Sequence, residues 1–106
     1  MHEGRNRLIR IGKSEISNIL NSLGYSENRG LKEIILKKYN LIYPKFKIGS
    51  KYRNPKILIP LIVYFYFRLH DINFKKSKLL AVSEILNSDI NSFTLQIKRF
   101  LSKNYR

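Results

Sequence analysis

Apolar residues recur at three- and four-residue intervals along most of the chain, the period of an α-helix with one buried face. Ile16, Ile19, Leu20 and Leu23 make the first stripe. Ser14 is placed to cap it, and Gly24 stands where a helix end favours a residue free to take positive φ. Leu31, Ile34, Ile35, Tyr39 and Ile42 make the second, opening near Ser26 and ended by Pro44. Residues 44–54 hold Pro44, Gly49, Asn54 and several basic residues, and read as a loop. Asn54-Pro55 is a helix start: Asn caps, and Pro fits a first turn whose N–H is unpaired anyway. The helix from 55 to about 70 is apolar on nearly every side, which predicts a central helix packed by the others. Pro60 removes one backbone hydrogen bond, so a kink or a start near 59 is expected. Residues 57–67 also suit a strand by residue type, but no partner strand is evident.

Asp71 to Phe74 reads as a turn, followed by a fourth helix over about 75–87 with Leu79, Leu80, Val82, Ile85 and Leu86 apolar. Asn87-Ser88-Asp89 breaks it, and Asn91 or Ser92 caps a fifth helix reaching about 103. Residues 1–13 are basic and weakly patterned, and read as an N-terminal arm ahead of a domain at 14–106. The expected fold is all-α, one domain of five helices. A chain of 106 residues suffices for one core and not two.

Charge changes this picture more than any other property. There are 21 Lys and Arg against 7 Asp and Glu, a formal net charge of +14, where about 2–8 serves a small domain for solubility. An excess of one sign repels itself unless a polyanion answers it. Nucleic acid is the leading polyanion and an anionic membrane surface the second. Hydrophobic residues are 43% of the chain, enough to fold. The absence of Cys excludes disulfides, thiol catalysis and thiolate metal sites. No apolar block follows Arg5, Arg7 and Arg10, so the start does not read as a signal peptide. The uncharged run Ile57 to Phe67 is far shorter than the ~20 residues of a membrane span. A cytoplasmic, nucleoid-associated protein is expected.

No acid lies between Glu33 and Asp71, a stretch carrying Lys37, Lys38, Lys45, Lys47, Lys51, Arg53, Lys56 and Arg68. Tyr39, Tyr43, Phe46 and Tyr52 are interleaved with them. The lysines and arginines suit phosphates; the aromatics read better as packing than as stacking platforms. The last thirty residues read as a helix-turn-helix, with Phe93, Ile97, Phe100 and Leu101 on one face of the fifth helix. Ser92, Gln96, Arg99 and Lys103 fall on the opposite face, and Leu95 also points away from the core. Lys75, Lys76 and Lys78 open the bracing helix. Catalytic signals are missing: His2 and His70 stand alone, the acids never come as a close pair, and no phosphate loop or metal-ligand spacing occurs. His70 reads as a helix end, and no cofactor or small-molecule substrate is expected.

These features resemble one cyclin-type repeat of the transcription factor B / transcription factor IIB family, of archaeal type, over roughly residues 14–103. Arg53-Asn54 stands where the family's third helix opens, and Tyr64 and Arg68 match a later Tyr and Arg four apart. Glu15 to Gly24 resembles the opening helix, Leu80-Ala81 the fourth, and Ile90-Asn91 with Leu95 the fifth. Pro60 and Leu61 replace two small residues, the fourth helix reads one turn longer, and there is one repeat and no zinc ribbon. The resemblance implies a cyclin-like domain with Lys75, Lys76, Lys78, Asn91, Ser92 and Gln96 near DNA. Lys45, Lys47, Lys51, Arg53, Lys56, Arg99 and Lys103 complete the expected nucleic-acid surface. The expected function is duplex DNA binding without catalysis, in transcription or chromosome maintenance. A small ribosomal RNA-binding protein and a cyclin-like adaptor for a transcription, replication or ribosomal complex follow in that order.

Overall fold

A computed structural model describes the backbone of residues 2–101 and the side chains of Arg7 and residues 9–94. Among the described residues there are five α-helices: α1 (His2–Ser22), α2 (Arg29–Ile42), α3 (Pro55–Leu69), α4 (Lys76–Val82) and α5 (Asn87–Leu101). Two short 3-10 turns, Tyr43–Lys45 and Lys51–Arg53, lie between α2 and α3. Among the described residues there is no strand, and the all-α expectation holds.

Asn54 caps α3 by accepting the Lys56 N–H at 3.0 Å, with Pro55 in the first turn. The helix then continues through Pro60 to Leu69, so the later start near 59 does not occur. Pro60 lacks the N–H that would bond the Lys56 carbonyl, and the burial of the surrounding residues holds the helix over that gap. Every residue from Ile57 to Val63 is buried, and each of α1, α2, α4 and α5 packs on α3. The core joins Ile16, Ile19 and Leu20 of α1 to Ile35, Tyr39 and Ile42 of α2 and to this central helix.

Helix ends carry most of the departures from expectation. The segment read as an arm is helical: α1 starts at His2, not near Ser14. Its stripe continues upstream through Gly12, which is buried. A Cβ on Gly12 would stand 2.6 Å from Cε2 of the fully buried Tyr39 ring. Tyr39 thus fills the space a large residue would have taken, and the stripe is invisible to a search for apolar side chains. α1 closes as expected at Gly24, whose φ of +91 lets the Tyr25 N–H reach the Leu20 carbonyl at 2.8 Å. α2 is capped by Asn28 rather than Ser26, its Oδ1 accepting the Leu31 N–H at 2.9 Å. Ile34 faces outward, unlike the rest of its expected stripe. α3 ends at His70, as expected, with Asp71 at φ +54 and the Ile72 N–H bonded to the Phe67 carbonyl at 2.8 Å.

The boundary between α4 and α5 lies earlier than expected. α4 stops at Val82, where the Ser83 hydroxyl donates to the Leu79 carbonyl at 2.7 Å. It is therefore shorter than the helix read from residues 75–87, and the added turn read there is absent. Ile85 is buried in the linker rather than on the helix. α5 begins at Asn87, ahead of Asn91 and Ser92, because the Asp89 carboxylate reaches back to accept the Leu86 N–H at 2.9 Å. Half of a capping box does the work for which a Ser or Asn cap was expected.

Candidate nucleic-acid interface

The basic segment after α2 is ordered by its own side chains. The chain turns at residues 47–50, where the Ser50 N–H reaches the Lys47 carbonyl at 3.0 Å and Gly49 takes φ +88. The Ser50 hydroxyl donates to the same carbonyl at 2.7 Å. Arg53 folds back over this segment. Its Nη1 donates to the Phe46 carbonyl at 2.9 Å, and its guanidinium lies 5.1 Å from the Tyr43 ring centroid. Tyr43 in turn stacks on Tyr39 at 4.9 Å, and burial first, then the neighbouring Tyr43, pushes the Tyr39 hydroxyl up to about 12, with Arg53 opposing. Arg53, expected at the nucleic-acid surface, braces the fold here.

Two contacts join this segment to α5. The Lys51 ammonium forms a salt bridge with Asp89, whose side chain is 3% exposed while that of Lys51 is 55% exposed. Burial alone would raise the Asp89 carboxyl. The Lys51 ammonium and the Leu86 N–H outweigh it and hold the group below its ordinary 3.8. The hydrogen bond to Asp89 raises Lys51 in turn. The second contact is aromatic: Phe93 lies 5.8 Å from Phe46, 5.2 Å from Tyr52 and 5.9 Å from Phe65 of α3. The sequence treats the basic loop and the fifth helix as separate features; packing makes them one surface. α5 is braced by α3 and the 43–53 segment, whereas the sequence suggested bracing by α4.

Of the expected contact residues, Lys45, Lys47, Lys56, Lys75, Lys78, Asn91 and Ser92 are exposed. Lys56 lies within electrostatic reach of Glu15, whose carboxyl is raised by burial, lowered by Lys56 and raised again by Glu84. Lys76 is half-buried, 5.8 Å from the Tyr64 ring centroid, and shares that ring with Arg68 at 5.2 Å. Gln96 and Arg99 fall on α5 with side chains outside the described residues, as does Leu95, and Lys103 lies wholly outside them. Tyr43 is buried, and Phe46 and Tyr52 are half-buried against Phe93, so the interleaved aromatics serve packing. Sequence reasoning missed Asp89 as a partner for Lys51. An acid three residues after Leu86 signals its capping role in α5, but nothing in the sequence signals the pairing with Lys51.

Among the described residues, no three His, Asp or Glu side chains come together to hold a metal ion. No described helix is long and apolar enough to cross a membrane. No family model, curated protein or solved structure matches the chain.

Proposed function

We propose that this protein is a non-enzymatic duplex-DNA-binding module acting in transcription or chromosome maintenance. Its contact surface is the basic 45–56 segment together with the exposed side of the first turns of α5. One observation carries the reading: Lys51–Asp89 and the Phe46/Tyr52–Phe93 cluster hold lysines and the exposed Asn91 and Ser92 on one rigid unit. Lysines give affinity through phosphates, and short polar side chains on a helix supply contacts to base edges. The inward aromatics favour a duplex over single-stranded RNA, because rings engaged in packing, half-buried as Phe46 and Tyr52 are, offer less surface to unpaired bases than open stacking platforms would.

Fluorescence anisotropy on labelled duplex DNA, duplex RNA and single-stranded RNA tests the reading. The wild type binds duplex DNA tightest, with affinity falling steeply with salt. The double variant Lys47→Glu/Lys56→Glu loses roughly tenfold or more in affinity and about two units of the salt slope, whatever the DNA sequence. Tighter binding to single-stranded RNA supports the ribosomal alternative. No nucleic-acid binding at ~150 mM salt, with a defined acidic partner recovered, supports the adaptor.

A further inference from the structure

Ile48 is 87% exposed, more than any other large apolar side chain among the described residues. A single exposed apolar side chain is ordinary on a protein surface. The setting of Ile48 is not. It sits at the tip of the 47–50 turn, beside Gly49, which adds no side chain, and after the exposed Lys45 and Lys47. The base of that turn is held by the two Ser50 bonds to Lys47, by Arg53 on the Phe46 carbonyl and by the Lys51–Asp89 bridge. A flexible loop would be free to fold its isoleucine back onto the protein. Here a narrow, pinned tip carries the isoleucine outward with positive charge beside it.

We propose that Ile48 is a wedge that enters the minor groove of bound duplex DNA and partly unstacks one base step, with Lys45 and Lys47 beside the flanking phosphates. This rests on the duplex-DNA reading above. A thin tip suits a groove about 6 Å wide, and apolar side chains inserted at a base step kink the duplex. Its rival occupant, an anionic lipid surface, fits less well. Even a whole myristoyl chain binds a bilayer only marginally, and one isoleucine offers far less apolar surface. A wedge needs only one side chain, because the phosphate contacts supply the affinity.

The test is energy transfer between the labelled ends of a short duplex, with full-length wild type and Ile48→Ala. The side chain is solvent-exposed, so the variant folds, and circular dichroism checks that it does. The wild type brings the duplex ends closer and prefers a duplex with one mismatched step by roughly tenfold, since that step is already partly unstacked. Ile48→Ala binds the intact duplex within about threefold of wild type with the same salt slope, but loses the bend and the mismatch preference. If the wild type binds without bending, or Ile48→Ala bends as the wild type does, the wedge is overturned while the duplex reading stands. If the wild type binds no duplex, both fall. Ile48-dependent binding to phosphatidylserine vesicles without DNA bending overturns the wedge in favour of a lipid surface.

Discussion

Asp89 does two jobs with one carboxylate, and its burial makes the two ends of its salt bridge unequal. The carboxylate is enclosed, while most of the Lys51 side chain is in water. Asp89→Asn keeps an oxygen for the Leu86 N–H and leaves an ammonium that water can solvate, so it costs about 1 kcal/mol, as for a lost cap. Lys51→Gln leaves an enclosed carboxylate with the Leu86 N–H as its remaining support, so it is the more damaging change at neutral pH. Acid narrows the damage done by Lys51→Gln. In the wild type, folding lowers the Asp89 pKa from its ordinary 3.8. The stability it contributes is complete above that value and is lost as pH falls through the folded one. In Lys51→Gln burial is less opposed, the folded pKa moves up, and protonation relieves the unpaired charge. Urea midpoints measured at pH 7 and at about pH 3.5 should show the gap between Lys51→Gln and wild type closing on acidification. A constant gap at both pH values would mean that Asp89 stays paired without Lys51.

The elements were legible where apolar side chains marked them and hidden where a backbone or a short polar side chain did the work. Asn54-Pro55, Gly24 and the all-apolar run of α3 announce themselves because each has a single physical use in a helix. The first half of α1 does not, because the key position in its stripe is a glycine packed on Tyr39. The α4–α5 boundary does not either. Leu79, Val82, Leu86 and Ile85 keep helical spacing across a break set by Ser83 and Asp89, which no apolar pattern contains. Two glycine substitutions separate these causes. Gly12→Ala gains helix propensity of up to about 1 kcal/mol, but it drives a methyl into a buried ring, where overpacking costs about 1–3 kcal/mol. The net result is a loss of roughly 1 kcal/mol. Gly30→Ala, where the nearest atom to the new methyl is Asn28 Oδ1 at 3.7 Å, gains roughly 0.5 kcal/mol. Opposite shifts in the urea midpoint are expected. A stabilising Gly12→Ala would show that Gly12 does not pack on Tyr39 of α2, and would favour the arm reading.

At the scale of the whole molecule, the charge that weakens the folded chain would strengthen the proposed complex, and salt would act on the two in opposite directions. The net charge is +14 on a body with a radius of gyration of 13.0 Å. At about 0.01 M salt the screening length is ~30 Å, so positive charges on opposite sides repel one another. At about 0.15 M it falls to ~8 Å, shorter than the protein's radius, and most of that repulsion is screened. The sequence made the excess charge plain, but not its arrangement: Arg53 folds back onto the Phe46 carbonyl and the exposed Lys51 is tied to Asp89, while Lys47 points to solvent. Local pairing of that kind removes little of the total, since acids are outnumbered three to one. The midpoint of thermal unfolding of the free protein should therefore rise by roughly 5 °C between about 0.01 and 0.15 M salt, the shift expected for about 1 kcal/mol in a domain of this size. Over the same range duplex affinity should fall by orders of magnitude, because phosphate contacts release counterions. Duplex DNA at one hundred times its dissociation constant should add about 2.7 kcal/mol of stability, and that gain should shrink as salt is raised at fixed DNA concentration. Calorimetry of the free and DNA-bound protein across one salt series measures all three trends. A free protein that loses stability with salt would mean that its few ion pairs outweigh the repulsion, which would remove the electrostatic reason for a polyanionic partner.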